Sequence, residues 1–179
     1  MAFADPAHGV PDWLAASVES VTADVVVVTP HWGPNMAAAP VPHVGRRALC
    51  RAGGALAAGH SAHVFCGVAP GVLYDLGDFI DDCIVDPLLR NDCGLLFLVT
   101  LERALATHIE AVPLHLDCCR TRLARGEERT WIAARLWRAC APFGTEVREH
   151  DDRLIVEFPL SEAASAVGPV RSPAKRGGR

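Results

Sequence analysis

The chain has 179 residues, of which 50% are hydrophobic and 21% charged, with a formal net charge of -4. That length accommodates one domain able to bury its own core, so neither disulfides nor metal are needed merely to fold. Every apolar run is broken well before the roughly 18 residues of a membrane helix, and the first residues lack a basic region followed by an apolar stretch, so a cytoplasmic protein is expected.

Residues 11–21 (PDWLAASVESV) place Asp12 after Pro11 as a candidate N-cap, with Leu14, Val18 and Val21 at helical spacing. The β-branched run Val25 to Val28 predicts a strand covered on both faces and ending at Pro30. The loop from His31 to Pro42 holds Pro34, Pro40 and Pro42 and cannot be regular. Residues 43–53 predict a helix closed by Gly53 and Gly54, followed by a short strand at 55–58 and the loop GHSAH at 59–63. Strand, helix and strand in this order make a βαβ unit, and ligand sites of open α/β sheets lie at the carboxyl ends of its strands.

Val72 to Tyr74 predict another strand, followed by an Asp-rich loop at 75–92. The runs LLFLVTL (95–101) and HIEAVPLHL (108–116) read as an antiparallel pair. An amphipathic helix is expected at 128–141 on Trp131, Ile132, Leu136 and Trp137, and a last strand at 153–158. The fold class is therefore α/β with a mixed sheet. Residues 160–179 carry Arg171, Lys175, Arg176 and Arg179 against Glu162, and their Pro and Gly content reads as a disordered basic tail after a folded region 1–159. No nucleic-acid partner is expected.

The 7 cysteines form no CxxC pair, which favours small thiols in a reducing compartment over a disulfide framework. The adjacent Cys118 and Cys119 lack the spacing of a zinc knuckle.

Two groups of residues carry chemistry. His31 follows the first strand, and His60 and His63 lie in the loop after the next. Imidazoles at the ends of adjacent parallel strands can converge on one divalent ion, though loop histidines also simply solvate or cap. The second group is Asp75, Asp78, Asp81, Asp82 and Asp86, which repel one another unless a cation, N–H groups or water offset them. Asp81, Asp82 and Asp86 suit turns and caps. Asp78, directly after Gly77, falls on the same sheet edge as the histidines if its strand is parallel to theirs.

TPHWG (29–33), AGGALAAGHSAHVFCGV (52–68) and VLYDLGDFIDD (72–82) resemble, in order and spacing, three motifs of the CapA family, the poly-gamma-glutamate capsule biosynthesis proteins. His31, Trp32, Gly33, Gly59, His60, His63 and Gly77 match the family pattern as they stand. The resemblance runs from about residue 10 to 158 and implies part of a calcineurin-like metallophosphoesterase sandwich. It further implies a dinuclear centre of Mn, Fe or Zn in which His31, His60 and His63 hold metal or contact a bound phosphate or carboxylate group. Asp78, where the family more often has Asn, would steady a ligand histidine or a metal-bound water. Arg90 would orient an anionic, polyglutamate-type substrate, or alternatively pair with Asp92. Envelope association is possible by the same resemblance.

The family's GD-type and NNH-type motifs, which belong to the same centre, do not occur in this sequence. The expectation is a C-terminal portion of such a protein, truncated and short of a complete dinuclear site, with a complementing N-terminal half or self-association as partner. The alternatives are a metal- or anion-binding module without turnover and a nonfunctional remnant.

Overall fold

The computed structural model describes residues 12–31, 33–39, 54–80 and 84–166. Helix α1 (Asp12–Ser20) leads into a four-stranded sheet of very short strands: β1 (Val27–Val28), β2 (Leu56–Ala58), β3 (Val68–Ala69) and β4 (Val72–Leu73). Their spatial order is β1-β2-β4-β3. β1, β2 and β4 run parallel, and β3 is antiparallel to β4, so this sheet is mixed as expected. The helix expected at 43–53 lies outside the described residues. The parallel pairing of β1 with β2 is the one that a βαβ unit requires.

A second, antiparallel sheet contains β5 (Cys93–Glu102), β6 (Leu105–Asp117), β7 (Arg120–Leu123), β8 (Arg148–His150) and β9 (Arg153–Glu157). β6 is its long central strand, with β5 on one side and β9 and then β7 along the other. The expected pairing of 95–101 with 108–116 is present, Leu95 opposite Pro113 and Val99 opposite Ile109. Pro113 keeps a ladder role through its carbonyl, which accepts the Ala124 N–H at 3.0 Å.

Helix α2 (Glu127–Cys140) packs between the sheets and fits the amphipathic reading. Ile132 and Leu136 are fully buried, whereas Trp137 lies 43% exposed and donates from its indole N–H to the Val147 carbonyl. Each of the two aliphatic side chains stabilises the fold by about 1.5–3 kcal/mol through burial. One continuous core joins Leu56, Phe65 and Leu73 of the first sheet to Leu95, Ile109 and Leu154 of the second.

Two expectations are corrected. The strand at 25–28 shrinks to Val27–Val28 and is not covered on both faces: Val25 and Val27 are 43% and 49% exposed. Among the described residues β1 pairs with β2 alone, and α1 covers one side through Leu14 and Val18 packed near Val26 and Val28. The second correction concerns the tail, which begins with a helix, α3 (Leu160–Ala166), whose Ala163 is buried in the common core.

Candidate functional site

The sheet order brings the carboxyl ends of β1, β2 and β4 side by side, and each carries a residue singled out from the sequence. His31 follows β1, His60 follows β2, and Asp78 follows β4. His31 and His60 form a parallel bridge, with the His60 N–H donating to the Pro30 carbonyl at 3.1 Å. Their rings lie 5.3 Å apart between centroids and tilted by 58°. Both are exposed.

His63 sits with φ at +60°, a left-handed conformation that a residue with a Cβ seldom adopts. Such strain persists only where the surroundings enforce it. Here they do. The Nδ1 of His63 lies 3.1 Å from both carboxylate oxygens of Asp78. With the proton on Nδ1 donating to Asp78, Nε2 is left as the lone-pair atom, the usual arrangement behind a metal-ligating imidazole.

Asp75 holds this geometry from beneath. Its carboxylate is buried and accepts the backbone N–H of Ala62 at 3.1 Å and of Gly77 at 3.0 Å. Ala62 precedes His63 and Gly77 precedes Asp78, so one carboxylate fixes both halves of the His–Asp pair. Gly77 itself has φ at +70°, and a Cβ there would stand 2.7 Å from the Phe65 nitrogen. Backbone bonds from Gly59 to Leu73 and from Leu76 to Gly59 complete the stitching of the loop to the strand end. Sequence reading placed Asp75 only among the mutually repelling carboxylates; an Asp two residues before a Gly was the available signal for its role.

The other carboxylates separate by role. Asp86 caps the next turn, accepting the N–H of Leu89 and Leu88, and these bonds, Leu89's first, hold its carboxyl below the usual range. That matches the capping expectation. Asp81 and Asp82 lie outside the described residues.

Among the described residues, Arg90 pairs with Asp92 rather than with any of the three histidines. Its guanidinium makes a two-pronged pair with Asp92, at 2.7 and 2.8 Å, and also donates to the Cys93 sulfur at 3.2 Å. The bond to Asp92 raises its basicity further. This is the structural alternative considered from the sequence.

Among the described residues, Asp92, Cys93 and His115 present ligand atoms all within 4.8 Å of one another, a group able to hold a metal ion by its donors. Burial pushes the Cys93 thiol up to about 11, and Arg90 already supplies a cation to two of the three. Around them Glu128 accepts two bonds from Arg122, which bring its carboxyl down to about 2. His31, His60 and His63 do not form such a group: they fall into the His31–His60 pair and the His63–Asp78 pair.

The family model of the bacterial capsule synthesis protein PGA_cap matches residues 4–83, a span that contains all three histidines and Asp78. Over that span the chain resembles the capsule synthesis (CapA) family. Two relatives from strains of Mycobacterium tuberculosis, each described as a probable polyglutamine synthesis accessory protein, are 29% identical to it over 177 residues. The alignment covers 90% of this chain and 46% of each relative, so the chain spans about half their length. The fold agrees with the α/β expectation at the level of a mixed and an antiparallel sheet. No helix among the described residues is long and apolar enough to cross a membrane.

Proposed function

We propose that this chain supplies the histidine-bearing part of a metallophosphoesterase-type centre serving poly-gamma-glutamate synthesis. His31 and His60 hold a divalent ion, Mn, Fe or Zn, and His63 joins them with its ring steadied by Asp78. The observation that carries this reading is the placement of His31, His60 and Asp78 after three adjacent parallel strands, with His31 beside His60 and His63 bonded to Asp78. The donor set fits such an ion: exposed imidazoles beside a carboxylate-braced third. Bound there, a divalent ion would supply Lewis acidity toward a phosphate or carboxylate oxygen. The calcineurin-like sandwich belongs to this proposal, as does an anionic, polyglutamate-type ligand.

A second reading is binding of metal or anion without turnover, because His31 and His60 pair apart from the His63–Asp78 pair. One experiment addresses both. The purified chain is loaded with Mn, Fe or Zn, dialysed, and its metal content measured beside hydrolysis of a simple phosphodiester. Near-stoichiometric metal that is lost in the variant His60→Ala with His63→Ala supports the site, and hydrolysis then separates enzyme from binding module. A parent chain that retains no metal overturns the metal site in both readings.

A further inference from the structure

The hairpin that joins β6 to β7 turns on two adjacent cysteines. Asp117 pairs with Arg120 across the ladder, which leaves Cys118 and Cys119 as the whole turn. Both are exposed, and their sulfurs stand 3.9 Å apart. Cys119 has φ at +55°, a position where tight hairpins favour Gly or Asn. The strained turn thus presents two accessible thiols side by side, whereas Cys66, Cys93 and Cys140 are buried.

We propose that Cys118 and Cys119 form a redox-modification site that reacts with low-molecular-weight disulfides to close a vicinal disulfide. One thiolate attacks the small disulfide, forming a mixed disulfide and expelling one small thiol. The neighbouring thiolate then attacks the cysteine sulfur of that mixed disulfide and expels the second. The protein loses two electrons and two protons, and the small disulfide is reduced to two thiols, so the step is balanced. Adjacency favours the second attack over hydrolysis or a second adduct.

The product is readily reversed. Adjacent α-carbons are about 3.8 Å apart, well short of the roughly 4.4–6.8 Å of ordinary disulfides, and such strain makes the bond reducible. Closing it brings the sulfurs from 3.9 Å to about 2.05 Å, which the turn must absorb. Two residues further on, the Thr121 hydroxyl donates to the Phe79 carbonyl, directly after Asp78. Oxidation at the turn therefore disturbs the segment that carries Asp78; its consequence for metal binding rests on the function proposed above, but the chemistry does not.

The test uses the full chain and oxidised glutathione. Peptide mass spectrometry is expected to find the 118–119 peptide lighter by two hydrogens, with no retained glutathione and with Cys93 and Cys140 unmodified. In Cys118→Ser the mixed disulfide at Cys119 should accumulate instead. Backbone amide exchange at residues 77–80 should change several-fold on oxidation of the parent and remain as it was in Cys118→Ser. Stable glutathione adducts on the parent pair, or thiols no more reactive than Cys93, would overturn the modification site. An oxidised parent with unaltered exchange at 77–80 would overturn the link to Asp78. None of these readouts requires metal, so they stand apart from the outcome of the metal-loading experiment.

Discussion

Asp75 does more for the candidate site than any of the residues that face it. It offers one oxygen to the Ala62 N–H and the other to the Gly77 N–H, and its own carboxylate is buried. Asp75→Asn keeps the shape but turns one acceptor into an NH₂ donor facing an N–H. A buried donor left unsatisfied costs about 1–3 kcal/mol, so the urea midpoint should fall accordingly. The His63 ring resonances should shift as well, because the loop preceding it loses its anchor; a variant with the parent midpoint and unmoved His63 signals would show that Asp75 does not hold the pair. Glu128 makes a prediction of a different kind. Bonding to Arg122, with help from the Arg125 N–H and the nearby His115, brings its carboxyl from an ordinary 4.5 to about 2 in the folded state. Its stabilising contribution is complete above about pH 4.5 and disappears as pH falls toward 2. Denaturation of Glu128→Gln should therefore depend less on pH across that window than denaturation of the parent, and the two curves should converge at its acidic end.

At the scale of elements, the junction between α2 and the first sheet is made by close approach. A Cβ at Gly67 would stand 2.1 Å from the Ala139 carbonyl oxygen and 2.8 Å from the Phe143 ring. Nearby, the Val68 N–H donates to the Cys140 sulfur at 3.3 Å, and Arg135 reaches from α2 to the carbonyls of Phe65 and Leu89. Gly67→Ala must push the helix off the strand and should lower stability by about 3 kcal/mol, read from urea denaturation. An unaltered midpoint would mean that the helix yields without cost. The longer elements were legible from sequence because they repeat a pattern: α2 through Ile132 and Leu136, and β5 with β6 through long apolar runs. Their connection was not legible. Arg103 and Ala104 turn the β5–β6 hairpin with φ at +51° and +61°, a conformation usually signalled by Asn-Gly, and the pairing of long strands imposes it. Likewise the valine run 25–28 signals a buried central strand, but what covers a strand depends on distant sequence, and β1 has a partner on one side only among the described residues. The site divides in the same way. Histidines placed after strands could be found by position, and Asp92, two residues on, was an available partner for Arg90, but Asp75's buried role depends on three-dimensional contacts that spacing does not encode.

Across the whole molecule the two sheets are unequal. β6 runs for 13 residues and is paired on both sides, with Ile109 and Ala111 each 1% exposed, whereas the strands of the first sheet have 2 or 3 residues. Regions with few ladder bonds and exposed apolar groups open first. Exchange of the Ala55 and His60 amides, which bond to Val26 and Pro30 across the β1–β2 junction, should be much faster than exchange in the middle of β6. The same junction carries His31 and His60, so an ion held by both would tie β1 to β2. At a metal concentration about 100 times the dissociation constant, linkage slows exchange through that opening about 100-fold. Amides of the β8–β9 hairpin, which can open without the first sheet, should keep their rates. If Ala55 and His60 exchange as slowly as β6 before metal is added, the two sheets unfold as one unit. If metal binds but leaves their exchange unaltered, the ion is held by residues other than His31 and His60. The half of the molecule that bears the candidate chemistry is therefore also the half whose opening a bound ion would slow the most.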